Sequence, residues 1–394
     1  MVILQKNILV YFFLFLVCVD LPAHESYFKP TFELADRQFV NVVESNKKAF
    51  YAIQTKSYPH ITDKNLNTRT VLIKLKPKSK FLIVVISGTH GVEGYVGSAL
   101  QSWLIDQKLS KSPMSEADFL FLHALNPVGF KYNRRTDQDN IDLNRNFLID
   151  PKDFSSTNEN YKKINDFLNP PTIGGPVKFF DKTLFIFKSI GQIVLNGYST
   201  LRNSILIGQY EFERGLFFGG FRYQNQKNII DDIISEYFSN YRGVVVLDLH
   251  TGYGETNKMH ILSVADSDKK KKEISNFFQS DIEFVNKSKD FYKAKGDLMS
   301  YMASFEKPNM EVNGVVFEFG TMNSQTVLGS IESLRRMVLE NQFYYRPSFQ
   351  DSDNEQVQKL FLDMFNPQDE NFRKSAVRQF ENKFDLLMNY LNKL

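Results

Sequence analysis

Six short apolar runs punctuate the chain: VLIKLK (71–76), FLIVVIS (81–87), DFLFLHA (118–124), VVVLDLH (244–250), HILSV (260–264) and NGVVFEF (313–319). Runs this short read as strands. Those without polar alternation, such as 81–87 and 244–250, read as central strands covered on both faces. Longer stretches with helical spacing lie between them, at 93–107, 226–240, 269–279, 295–304 and 325–343. Strands alternating with helices predict an α/β fold, a sheet with helices on both sides.

The remainder of the chain breaks this rhythm in three places. Residues 150–176 are rich in Asn, Asp, Ser and Pro and read as an irregular excursion. Residues 177–207 are apolar and aromatic, but Lys178, Lys182, Lys188 and Arg202 interrupt them. That pattern predicts a helical hairpin packed on the body rather than a membrane insertion, so 150–207 is expected to be a largely helical insertion. The tail 346–394 reads as amphipathic helices returning to the same core, and the four lysines 269–272 as a solvated helix face. With no repeat or low-complexity linker, 24–394 is expected to form a single domain.

Residues 8–19 (ILVYFFLFLVCV) follow Lys6 and are shorter than the ~20 residues of a membrane span. They suit the apolar region of a signal peptide, with Leu21-Pro22-Ala23 offering a cleavage site. Residues 1–23 are therefore expected to direct export to the periplasm or beyond; the alternative is an uncleaved membrane anchor. A lipoprotein reading of Cys18 is disfavoured by the bulky Val17 before it.

Composition narrows the function classes. Of 394 residues 42% are hydrophobic and 37 are Phe, which supplies a core and excludes disorder. The net charge of +3 gives no general basic field for nucleic acid. Cys18 is the single cysteine, which excludes a disulfide framework and a cysteine-based zinc cluster. Six histidines (His24, His60, His90, His123, His250 and His260) are then the whole supply of imidazole ligands.

The chemistry gathers where strands end. Gly88-Thr89-His90-Gly91-Val92-Glu93-Gly94 follows the run 81–87, and His90 and Glu93, three apart as a helix begins, share a face and can grip one ion. His250 closes the run 244–250 ahead of Thr251-Gly252-Tyr253-Gly254, and Glu318 closes 313–319 ahead of Phe319-Gly320-Thr321. Open α/β sheets bind ligands outside the carboxyl ends of their strands. Two His and one Glu with an open position form the catalytic zinc arrangement, and the remaining Glu suits a general base. Asp248, two residues before His250 and on the same strand face, suits a partner orienting an imidazole. His123 is at most a pocket-lining residue. In 126–147 (NPVGFKYNRRTDQDNIDLNRNF), Arg134, Arg135 and Arg145 cluster with Asn144, a group suited to a carboxylate or a developing oxyanion.

These elements, in this order, resemble the zinc carboxypeptidase (carboxypeptidase A-like) metallopeptidase superfamily. GTHGVEGYVGS, HALNPVGF, RRTDQDNIDLNRNF, GQYEFERGLFFGG, DLHTGYG and FEFGT are most similar to a bacterial branch of it built on a domain of unknown function, over residues 30–345. The resemblance implies a mixed, mostly parallel twisted sheet flanked by helices. It implies one zinc ion on His90, Glu93 and His250, with Glu318 as general base and then proton donor. It also implies that Arg135 stabilises the oxyanion and that Asn144 and Arg145 hold a terminal carboxylate, with Arg134 beside them. The family's capping tyrosine has no matching motif here; Tyr210, Tyr253 and Tyr292 are the candidates.

The expected activity is hydrolysis of an amide or peptide bond of carboxypeptidase type, acting on a peptide. An aspartoacylase-like deacylase of N-acyl amino acids is the alternative, which a small closed pocket would favour and an open cleft disfavour. A non-enzymatic exported binding protein of the same fold is the third reading, although both histidines and both glutamates are present. No G-x-S-x-G elbow supports a serine hydrolase.

Overall fold

The computed structural model describes residues 24–111, 115–170, 182–284, 294–347 and 350–394. The leader 1–23, with Cys18, and Tyr292 lie outside the described residues, as does the stretch 171–181 of the expected insertion.

Eight strands form one mixed sheet in the order β1-β2-β4-β3-β5-β8-β6-β7. They are β1 (Ala52–Pro59), β2 (Asn67–Lys74), β3 (Phe81–Ser87), β4 (Ala117–His123), β5 (Gly243–Gly252), β6 (Met259–Ser263), β7 (Glu283–Phe284) and β8 (Glu311–Gly320). The centre, β4-β3-β5-β8, is parallel. Antiparallel pairs β1–β2, β2–β4 and β6–β8 flank it. All six expected strands are present. β1 and β7 were not legible: β1 is a largely exposed edge strand with polar residues on both faces, and β7 has two residues.

Alternate residues of each central strand feed two cores, as the pleat requires. Ile83, Val85, Phe119, Phe121, Val245, Leu247 and Phe317 enter one core. It is covered by α1 (Phe32–Asn46), α2 (Gly94–Trp103), α8 (Asp268–Phe278) and α12 (Glu370–Leu391). Leu82, Val84, Ile86, Leu120, Leu122, Val244 and Val246 enter the other, under α7 (Asn225–Tyr237) and α9 (Leu298–Ala303). Each such fully buried side chain contributes roughly 1.5–3 kcal/mol, so the ends of β3, β5 and β8 project from the most firmly packed part of the molecule.

A third apolar cluster lies to one side. It joins α4 (Glu159–Leu168), α5 (Lys182–Asn196), α6 (Tyr198–Ile207), α10 (Val327–Tyr345) and α11 (Asp351–Phe365). The expected hairpin is α5 and α6. The stretch read as an irregular excursion is helical at α4, which Asn158 caps by accepting from Tyr161 N. Among the described residues no helix is long and apolar enough to cross a membrane.

Candidate metal centre

His90 leaves β3 through Gly88, whose backbone is left-handed at φ +69°. A 3-10 turn over Gly91–Glu93 then leads into α2. That turn lies hard against the Asn126-Pro127-Val128-Gly129 segment. A Cβ on Gly91 would stand 2.1 Å from the carbonyl carbon of Gly129, so only glycine permits the approach. Gly91 N and Val92 N donate to the carbonyls of Arg135 and Arg134. The glycines of two motifs separated along the chain are thus explained by one backbone contact. β5 brings His250 beside β3, and the β5–β8 register pairs His250 with Glu318.

His90, Glu93 and His250 are all buried, and one ligand atom from each lies within 4.8 Å of the others. Nδ1 of His90 is 2.9 Å from Glu93 Oε1, Nδ1 of His250 is 2.9 Å from Glu93 Oε2, and the two Nδ1 atoms are 3.2 Å apart. The outer nitrogens face carboxylates: His90 Nε2 is 3.1 Å from Asp142 Oδ1 and His250 Nε2 is 2.7 Å from Asp248 Oδ2. A ring N–H directed at each carboxylate leaves both Nδ1 atoms as acceptors. Two lone pairs and the Glu93 carboxylate then converge with no hydrogen among them. Either a proton shared with Glu93 or a bound cation satisfies such a cluster. The donor set and its carboxylate backing fit a zinc ion with an open position.

The electrostatics express the same convergence. Burial opposes ionisation of Glu93, yet His90 and His250 hold its carboxyl well below the usual range. Burial draws His250 down, but Asp248 and Glu93 outweigh it and raise its pKa well above the ordinary value. Glu318 behaves oppositely: burial, with the Glu93 charge next, pushes it up to about 8. Tyr253 N donates to Glu318 Oε1 at 2.9 Å, and Thr251 N to Glu93 Oε2 at 3.0 Å.

A cavity of about 360 Å³ opens at this cluster, lined by His90, Glu93, His250 and Glu318, and by Arg135, Asn144 and Arg145. Arg135 spans Glu93 Oε1 (3.2 Å from Nη1) and Asp142 Oδ2 (3.1 Å from Nε). Asn144 accepts from Leu298 N through its side chain, and Arg145 Nη1 donates to the Asn144 carbonyl at 2.7 Å. Arg145 Nε is buried with no hydrogen-bond partner among the described residues. Asp248 stands behind His250, held by Thr89 Oγ1 at 2.9 Å.

Two residues fall elsewhere than the sequence reading placed them. Arg134, grouped there with the substrate-binding side chains, turns away from the cavity. Its Nε donates to Glu340 at 2.8 Å, its Nη2 to Asn140, and its guanidinium stacks 3.4 Å from the Tyr344 ring centre. His123 lies behind the sheet, stacked on Phe39 with ring centres 4.3 Å apart. Of the candidate tyrosines, Tyr253 lines the cavity, whereas Tyr210 is buried and donates to the Arg145 carbonyl. His260 fixes the 253–255 turn, with Nε2 accepting from Glu255 N and Nδ1 against Glu283. The role of Asp142 escaped the sequence reading. The one local sign is its place just before Leu143-Asn144-Arg145; its partner His90 is 52 residues away.

A sequence-family model described as a protein of unknown function (DUF2817) matches residues 28–379. No curated protein matches the sequence. Among solved structures, the chain is similar to a carboxypeptidase A from Helicoverpa armigera at 11% identity and TM-score 0.45, covering 80% of this chain and 72% of that one. It is similar to the murein-tripeptide amidase of Escherichia coli O157 at 14% identity and TM-score 0.34, covering 75% and 94%. It is similar to an ectoine utilization protein of Ruegeria pomeroyi at 11% identity and TM-score 0.35, covering 76% and 69%.

Proposed function

The chain belongs to the DUF2817 family, and from its buried centre we propose that it is a zinc-dependent hydrolase of amide bonds whose amine product carries a carboxylate. The convergence of two imidazole lone pairs and the Glu93 carboxylate on one point carries this reading. His90, Glu93 and His250 would hold the ion, with Asp142 and Asp248 fixing the imidazoles. When bound, zinc lowers the pKa of water toward about 7 and polarises a carbonyl.

The other steps belong to the chain's own side chains. Glu318 borders the same cavity and takes the proton from the attacking water. As the C–N bond breaks it returns that proton to the leaving nitrogen. Arg135, anchored through Nε and Nη1, supports the developing oxyanion from the ligand side. Arg145, with an unpartnered Nε, and Asn144 supply the carboxylate-binding end. Peptides with a free carboxyl terminus and N-acyl amino acids both present this arrangement. The apolar run 8–19 favours export as the setting of this activity.

The test is zinc quantification on the purified full chain, together with hydrolysis of a carboxyl-terminal peptide set and an N-acyl amino acid set. One equivalent of zinc and turnover of either set is the expected result. Substoichiometric zinc after supplementation would overturn the reading.

A further inference from the structure

The cavity beyond the metal centre is walled by helices. Ile193 from α5, Leu201 and Ile205 from α6, and Ile331, Leu334 and Met337 from α10 form its far side. A helix interior leaves no backbone N–H or C=O free to pair with an occupant. The serine donors of this wall are spent within the helices: Ser189 donates to Phe185 O, Ser330 to Val327 O and Ser333 to Gly329 O, at 2.8, 2.9 and 2.9 Å. Arg202 is the charged residue of this wall, and its field acts on Glu283 and Tyr253. A peptide backbone placed here would lose its hydrogen bonds to water and find few partners beyond the Arg202 and Tyr198 side chains, a costly burial. An aliphatic chain loses nothing and buries its full apolar surface.

We propose that this chamber holds an aliphatic acyl chain, so that the bond offered to His90, Glu93 and His250 is the amide of a long-chain N-acyl amino acid. The proposal rests on the amide-hydrolase reading and names its acyl side. Hydrolysis adds water across the amide: the acyl carbon gains oxygen as the C–N bond breaks, and nitrogen gains the proton. The products are a fatty acid and a free amino acid, with no redox partner required.

The test uses the zinc-loaded full chain with N-acetyl-, N-octanoyl- and N-dodecanoyl-leucine, and acetyl-Ala-Ala-Leu as the peptide. Full burial gives roughly fourfold per methylene, so kcat/KM is expected to rise by at least about 100-fold from acetyl to octanoyl. Ile193→Asn and Ile205→Asn, on half-buried positions, should lower the octanoyl-to-acetyl ratio about tenfold while leaving zinc content unchanged. A flat ladder, or preference for the peptide, would overturn the proposal and leave the hydrolase reading standing. If no substrate is cleaved, the hydrolase reading fails, and displacement of bound cis-parinaric acid by dodecanoate decides the chamber. Displacement at micromolar concentration supports an acyl site, and its absence overturns it.

Discussion

His250 and Glu318 stand opposite each other in the parallel register of β5 and β8, so a metal-ligand candidate and a base candidate are set side by side by backbone pairing alone. Their separation is fixed by two strands buried on both faces and does not depend on a loop. Glu318→Gln keeps the shape and the acceptor for Tyr253 N but removes the base. It should bind zinc as the parent does and lose about 10²–10⁴-fold in kcat. Steady-state kinetics alongside metal analysis would check this, and a fully active variant would refute the role.

The carboxylates behind the imidazoles should matter almost as much as the ligands. Asp142→Asn and Asp248→Asn should each weaken zinc binding by about 10–100-fold. Competition with a chromogenic chelator measures this directly. Unchanged affinity in both variants would mean that the imidazoles are oriented without them.

Zinc should stabilise the fold by mass action. At a free concentration 100 times its Kd, the gain is about 2.7 kcal/mol, visible as a rise in Tm that a chelator reverses. His90→Ala should abolish that rise, since it removes one of three converging donors.

Arg134 should be structural. Its charge is buried against Glu340, and removing one member of such a pair leaves the other uncompensated. Arg134→Met should cost about 3–5 kcal/mol in urea unfolding and leave zinc affinity intact. A large loss of zinc affinity without loss of stability would return this side chain to the site.

His123 gives stability a defined pH dependence. Burial depresses its pKa from 6.5 to about 4, with Asp36 opposing and Arg69 reinforcing the shift. Above pH 6.5 the imidazole is neutral in both states and contributes nothing. Between 6.5 and about 4 the unfolded chain takes up a proton that the folded chain refuses, so stability falls as pH falls. The loss from this group levels off below about 4 at roughly 3 kcal/mol. Comparing urea midpoints at pH 7 and 4.5 should show a smaller difference in His123→Gln than in the parent.

The sequence was most legible where a local pattern and a tertiary outcome coincide. FLIVVIS and VVVLDLH lie on central strands buried on both faces, and His90, Glu93, His250 and Glu318 stand at strand ends in one crevice. Reading failed where the deciding partner is remote. Arg134 and Arg135 are neighbours in sequence, yet Glu340 captures one while Glu93 and Asp142 hold the other. Asp142 gains its role only when folding brings it to His90. β1 resembles a polar loop because it is an exposed edge strand, and α4 is hidden by polar residues on the solvent side of an amphipathic helix.

The spacing of the three donors along the chain has a consequence for folding. His90 and Glu93 are three residues apart, but His250 lies 160 residues from His90. The centre is therefore incomplete until β5 has docked beside β3, a parallel pairing whose long loop closure makes it intrinsically slow. In the unfolded chain only His90 and Glu93 of the three donors are near each other in sequence, so metal is not expected to template the early steps. On the proposed reading, zinc uptake is expected late in the life of the nascent chain, and its rate after dilution from denaturant would serve as a clock for closure of the central sheet.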